Sequence, residues 1–112
     1  MDKLDFDQRI KANAYRLFHA EFHKHLEMVK GRFAAPGNPS LEELKQLGGI
    51  FHMVRGGAGF FGLDGVALLS QKLEQLLLHD AAQVSNRLAE AKKLVEELER
   101  LARSIPPPTQ SS

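Results

Sequence analysis

The chain has 112 residues, room for one domain with one hydrophobic core but not for two. It contains no cysteine, which excludes disulfides, thiolate zinc sites and cysteine nucleophiles. Its 15 basic side chains against 14 acidic ones leave a formal net charge of +1, which argues against a nucleic-acid binder relying on a strong overall basic field and leaves open only a local patch. No apolar run approaches the roughly 20 residues of a membrane span. The acidic start, Met1 to Gln8, lacks the apolar stretch of a signal peptide. A soluble, cytoplasmic, monomeric protein that binds neither nucleic acid nor membrane is expected.

Helical periodicity runs through almost the whole chain. The first stripe is Phe6, Ile10, Ala14, Leu17, Phe18, Phe22, Leu26, Val29 and Phe33, in steps of three and four. Asp5 or Asp7 would cap it, and a break near Asn13 would split off a short extra N-terminal helix. Gly31 weakens its end and residues 35–39, Ala-Pro-Gly-Asn-Pro, stop it. Ser40-Leu-Glu-Glu43 reads as a capping box. The helix behind it carries Leu44, Leu47, Phe51, Val54, Ala58 and Phe61, the 3-4 spacing of a bundle seam. Gly62 marks its end and Asp64 a new cap. A third helix follows with Val66, Leu69, Leu73, Leu76 and Leu77. Asp80 with Gln83 forms another cap signature. The last helix carries Val84, Leu88, Ala91, Val95, Leu98 and Ala102, and Pro106 to Pro108 end it. Four helices with short connections and no strand signal predict an all-α, antiparallel up-down-up-down four-helix bundle over residues 1–105. Residues 106–112 form a Pro/Ser-rich tail or the start of a linker.

Glycine does not fit so plain a bundle. Seven of the nine glycines lie between Gly48 and Gly65, and five sit inside the second long helix. Each interior glycine costs about 0.8–1.0 kcal/mol relative to alanine. On a helical wheel with Leu44 at 0°, the seam points to about 310°, with Gly48 at about 40°, Gly59 at about 60° and Gly56 at about 120°. His52 falls among them at about 80°. Gly48, Gly56 and Gly59 therefore read as a clearing that lets a partner approach one imidazole. Gly49 lies further round, and Gly57 falls on the opposite flank, near 220°. Arg55 and Lys45 share the sector of His52. A neutral ring nitrogen beside cations suits phosphoryl transfer, which depends on positioning and charge neutralisation. Arg55 would offer planar donors to phosphate oxygens.

The run His52-Met-Val-Arg55-Gly56-Gly57-Ala58-Gly59-Phe60-Phe61-Gly62 resembles the phosphorylation-site motif of histidine-containing phosphotransfer (HPt) domains, His-x-x-Lys/Arg-Gly-Gly/Ser-Ala. It is closest in flavour to the N-terminal HPt domain of chemotaxis-type histidine kinases. The helix Leu17 to Leu26 and the helix Ser70 to Leu77 are similar to that subgroup's flanking helices, so the likeness spans about residues 10–104. The family usually has lysine at i+3, where this chain has Arg55.

The resemblance implies a phosphocarrier in a two-component phosphorelay. His52 Nε2 would take a phosphoryl group from a sensor histidine kinase or a receiver-domain aspartate and hand it on. Glu74 matches a glutamate that holds the ring Nδ1. Gln71 sits one turn earlier, where the subgroup often has histidine. No nucleotide loop or kinase motif makes the chain an autonomous enzyme. It would need no cofactor of its own, with magnesium supplied by the partner's active site. The alternative is a non-catalytic helical adaptor that binds through the same glycine-cleared face. His19 and His23, four apart with Glu27 four further on, are a metal-ligand spacing that no second ligand cluster completes, so no metal site is expected. His25 stands alone and carries no signal.

Overall fold

The structure, a computed structural model, describes residues 3–78 and 84–108. Four helices follow in order: α1 (Lys3–Ala34), α2 (Leu41–Phe60), α3 (Asp64–Leu78) and α4 (Val84–Ser104). Each packs on the next and α1 closes on α4, which is the antiparallel up-down-up-down bundle. The core takes residues from all four stripes. Phe22, Phe51, Leu44, Leu73, Leu77 and Leu98 are its largest fully buried side chains. The expected seam of α2 is buried from Leu44 to Ala58, and Phe61 is half-buried.

α1 is one uninterrupted helix of 32 residues, so no short extra N-terminal helix splits off. Asn13 does not break it, because its Oδ1 accepts from Arg16 Nη2 (2.6 Å) along the helix rather than competing for the backbone. Asp5 and Asp7 lie within α1, past its first residue Lys3, rather than ahead of it at a cap position. At 1.5 Å per residue α1 is about 48 Å long, against about 22–32 Å for the others. Tyr15 marks where α1 passes the end of the bundle. Its ring meets Phe61 edge-on at 5.2 Å, and its hydroxyl donates to the carbonyl of Pro106. The turns before Tyr15 project beyond, which explains a long axis of 56 Å and an exposed Ile10.

Local chemistry sets the helix ends. The capping box forms: Glu43 N donates to Ser40 Oγ and Ser40 N donates to Glu43 Oε1, each at 3.2 Å. α2 ends in a Schellman motif. Leu63 N donates to Ala58 O (2.8 Å) and Gly62 N to Gly59 O (3.2 Å), with Gly62 at φ +73°, where only glycine is unstrained. Asp64 is the first residue of α3 rather than its cap, since Ala67 N already reaches the carbonyl of Leu63. There its charge still complements the helix dipole. The Asp80–Gln83 signature and the tail beyond Pro108 lie outside the described residues. α4 closes the C-terminal end of α3 from the side: the buried Arg87 donates Nε to Leu76 O (3.0 Å) and Nη2 to Leu77 O (2.5 Å).

Glu43 also pairs with Arg32 across the α1–α2 turn. The Arg32 guanidinium, and then the Ser40 amide, pull the Glu43 carboxyl down to about 2 from its ordinary 4.5. A depressed carboxylate contributes stability above its unfolded value and loses it as pH falls through the folded one. Glu43→Gln should therefore lower the urea midpoint near neutral pH. That difference should shrink below 4.5 and be largely gone by pH about 2.

Candidate functional site

His52 stands on the outer face of α2, beside α3, with its side chain 61% exposed. Glu74 on α3 faces it and is 12% exposed. The distance from His52 Nδ1 to Glu74 Oε1 is 2.9 Å. An ionised carboxylate only accepts, so this contact calls for the tautomer with the proton on Nδ1, which leaves the lone pair on Nε2 of a ring that is mostly exposed. Arg55, one turn along α2, brings Nη1 to 3.7 Å from Glu74 Oε2. That is ion-pair distance but too long for a hydrogen bond, and Oε2 is buried with no hydrogen-bond partner. One largely covered carboxylate thus serves an imidazole with one oxygen and faces a guanidinium with the other, buried one.

The other residues singled out from sequence divide. Gln71 and Lys45 are exposed and make no hydrogen bond or ion pair to His52, Arg55 or Glu74. Gly56 and Gly59 are exposed, and a Cβ on either would meet nothing within 4 Å. Gly48 is not part of the clearing. It is buried, and a Cβ there would lie 2.5 Å from Leu78 Cγ, so its bareness lets α3 approach α2. Gly57 does the same on the other shoulder, where a Cβ would lie 2.6 Å from Phe18 Cδ2 of α1. A bundle helix touches two neighbours, so its buried arc is wider than the stripe of large side chains. Gly48 and Gly57 sit about 90° to either side of that stripe, each under one neighbour.

Sequence reasoning missed a groove on the α1 side of His52. It encloses about 310 Å³ and is lined by Phe18, Glu21, Phe22, His25, Met53 and Val54. Met53, next to His52, is 59% exposed, and its position off the α2 seam was the available signal. His25, unremarkable in the sequence, faces Glu21 there at 3.7 Å. His19 and His23 bring their ring centroids to 4.4 Å, and burial, then His23, pushes His19 below its ordinary value. Glu27 turns to Lys30 instead (3.4 Å), and among the described residues no cluster of three or more His, Cys, Asp or Glu could hold a metal. Among the described residues no helix is long and apolar enough to cross a membrane.

On this helical bundle α2 presents one exposed imidazole, held by a carboxylate of α3 and flanked by a guanidinium and two exposed glycines. The family model described as Hpt domain matches residues 13–104, and the chain belongs to that family. It is a phosphotransfer module of two-component phosphorelay signalling, a family whose members interact with the kinases and receiver domains of those systems. Neither the curated proteins nor the solved structures yield a match to the chain.

Proposed function

We propose that His52 is the residue that carries the phosphoryl group, between a receiver-domain aspartate and a histidine kinase or a second receiver. The observation that carries this reading is the 2.9 Å contact between Nδ1 and Glu74 on a ring that is 61% exposed. In acceptance from an aspartyl phosphate, the Nε2 lone pair attacks phosphorus. The phosphorus–oxygen bond to the aspartyl carboxyl breaks, and the carboxylate leaves with the electron pair. The Nδ1 proton stays on the ring, which becomes a phosphoryl-imidazolium held by the Glu74 carboxylate. Donation is the same path reversed. Arg55 neutralises charge on the phosphoryl oxygens, and Lys45, on the same side of α2, adds to the local field. Gly56 and Gly59 keep the approach to Nε2 clear. Magnesium, where transfer requires it, belongs to the partner's active site in this reading.

The test is to incubate the chain with a phosphorylated receiver or a cognate kinase and map the phosphate by peptide mass spectrometry. An acid-labile, base-stable phosphate on His52 is the expected result. Phosphate on another histidine, or docking of the partner with no phosphate acquired, refutes the assignment.

A further inference from the structure

Glu74 presents an unusual charge problem. It is a nearly buried carboxylate whose second oxygen lacks a hydrogen bond, and the cation nearest that oxygen stops at 3.7 Å. A buried charge stripped of its counter-ion is costly, so Glu74 needs a cationic partner in every state of the domain. We infer that Arg55 changes stations when His52 is phosphorylated, moving from Glu74 to the phosphoryl oxygens; this rests on the role proposed for His52.

The charges balance in both states. With His52 unmodified and in the neutral form that nucleophilic attack requires, Glu74 is compensated by Arg55. After phosphorylation the ring is cationic, its Nδ1–H on Oε1 supplies the positive charge, and Glu74 no longer needs the guanidinium. The phosphoryl group then brings two negative charges, and Arg55, one helical turn from His52, is placed to answer them. The geometry suits such an exchange. The guanidinium is held by attraction without a directional bond, so leaving Oε2 forfeits no hydrogen bond. Its side chain is 39% exposed. Gly56 beside it and Gly59 one turn on carry no side chains to obstruct the swing. Arginine suits this better than lysine, because its planar fork forms paired bonds to phosphate oxygens once it arrives.

The test uses phosphoramidate, a small donor whose phosphorus–nitrogen bond breaks with loss of ammonia as Nε2 is phosphorylated. The side-chain Nε–H signal of Arg55 is followed by nitrogen-15 NMR, assigned with Arg55→Lys, while intact mass reports phosphate. The signal should shift on phosphorylation. In unphosphorylated Glu74→Gln it should already show the motional narrowing of a released side chain. Arg55→Gln should shorten the phosphohistidine lifetime about tenfold, and Arg55→Lys should restore part of it. An Arg55 signal that stays put while His52 is phosphorylated overturns the exchange and leaves the role of His52 standing. Failure to phosphorylate His52 at all overturns both.

Discussion

Glu74→Ala should accept a phosphoryl group about 10²-fold more slowly than the unaltered chain, whereas His52→Gln should accept none. The two losses differ in origin. Removing the imidazole removes the nucleophile. Removing Glu74 leaves a nucleophile that spends part of its time in the wrong tautomer, unfixed in orientation, with no negative charge beside the cation that forms during attack. A hundredfold corresponds to about 2.7 kcal/mol of transition-state stabilisation, within the range of one preorganised charged contact. Glu74→Gln separates the contributions. Its amide oxygen still accepts from Nδ1–H and preserves the tautomer, but it offers no charge, so it should recover part of the rate. Stability should not follow activity. A buried carboxylate oxygen with no hydrogen bond contributes little to folding, and replacing it relieves that defect. Urea unfolding should therefore show Glu74→Ala near the unaltered chain, which ties the slow transfer to chemistry. Unaltered transfer by Glu74→Ala would refute the role given to the 2.9 Å contact.

Much of this geometry was legible in the sequence, and what was not has physical reasons. Ser40 and Glu43 announce their own contacts because a capping box is local, three residues wide. The leucine stripes predict which faces are buried, since periodicity encodes direction. The meeting of His52 with Glu74 is different. The two lie on separate helices, 22 residues apart, and only the register of α2 against α3 brings them together. That register depends on close packing such as Leu78 over Gly48, which no single-helix pattern contains. The same limit explains why the helical wheel places Gly48 on an open face although it is buried. A wheel assigns one core direction, whereas α2 is buried under α3 on one shoulder and α1 on the other. Asn13 carries the complementary lesson: its helix-breaking tendency is satisfied by Arg16, one turn away.

The glycines of α2 should accordingly separate into two classes when substituted, and the separation tests fold and function together. Gly57→Val should destabilise the chain by about 3 kcal/mol. A Cβ at that position would lie 2.6 and 2.8 Å from Cδ2 and Cε2 of Phe18. That ring cannot easily retreat, because it stacks on Phe22 at 5.7 Å and packs against Phe61 at 5.5 Å. Gly48→Ala should destabilise as well, by about 1–3 kcal/mol, since a Cβ there would lie 2.5 Å from Cγ of Leu78, the branch point of that side chain rather than its far end. Gly59→Ala should do the opposite and stabilise by up to about 1 kcal/mol, because alanine is the better helix former and its methyl meets nothing. Its cost should appear only in transfer. If Gly59 clears the approach of a protein, the alanine variant should take phosphate from a phosphorylated receiver several-fold more slowly, yet accept it from phosphoramidate at the unaltered rate. A small donor does not need the clearing, and a receiver domain does. Equal rates from both donors would make Gly59 a structural accident, and slow rates from both would place it in the chemistry rather than the approach.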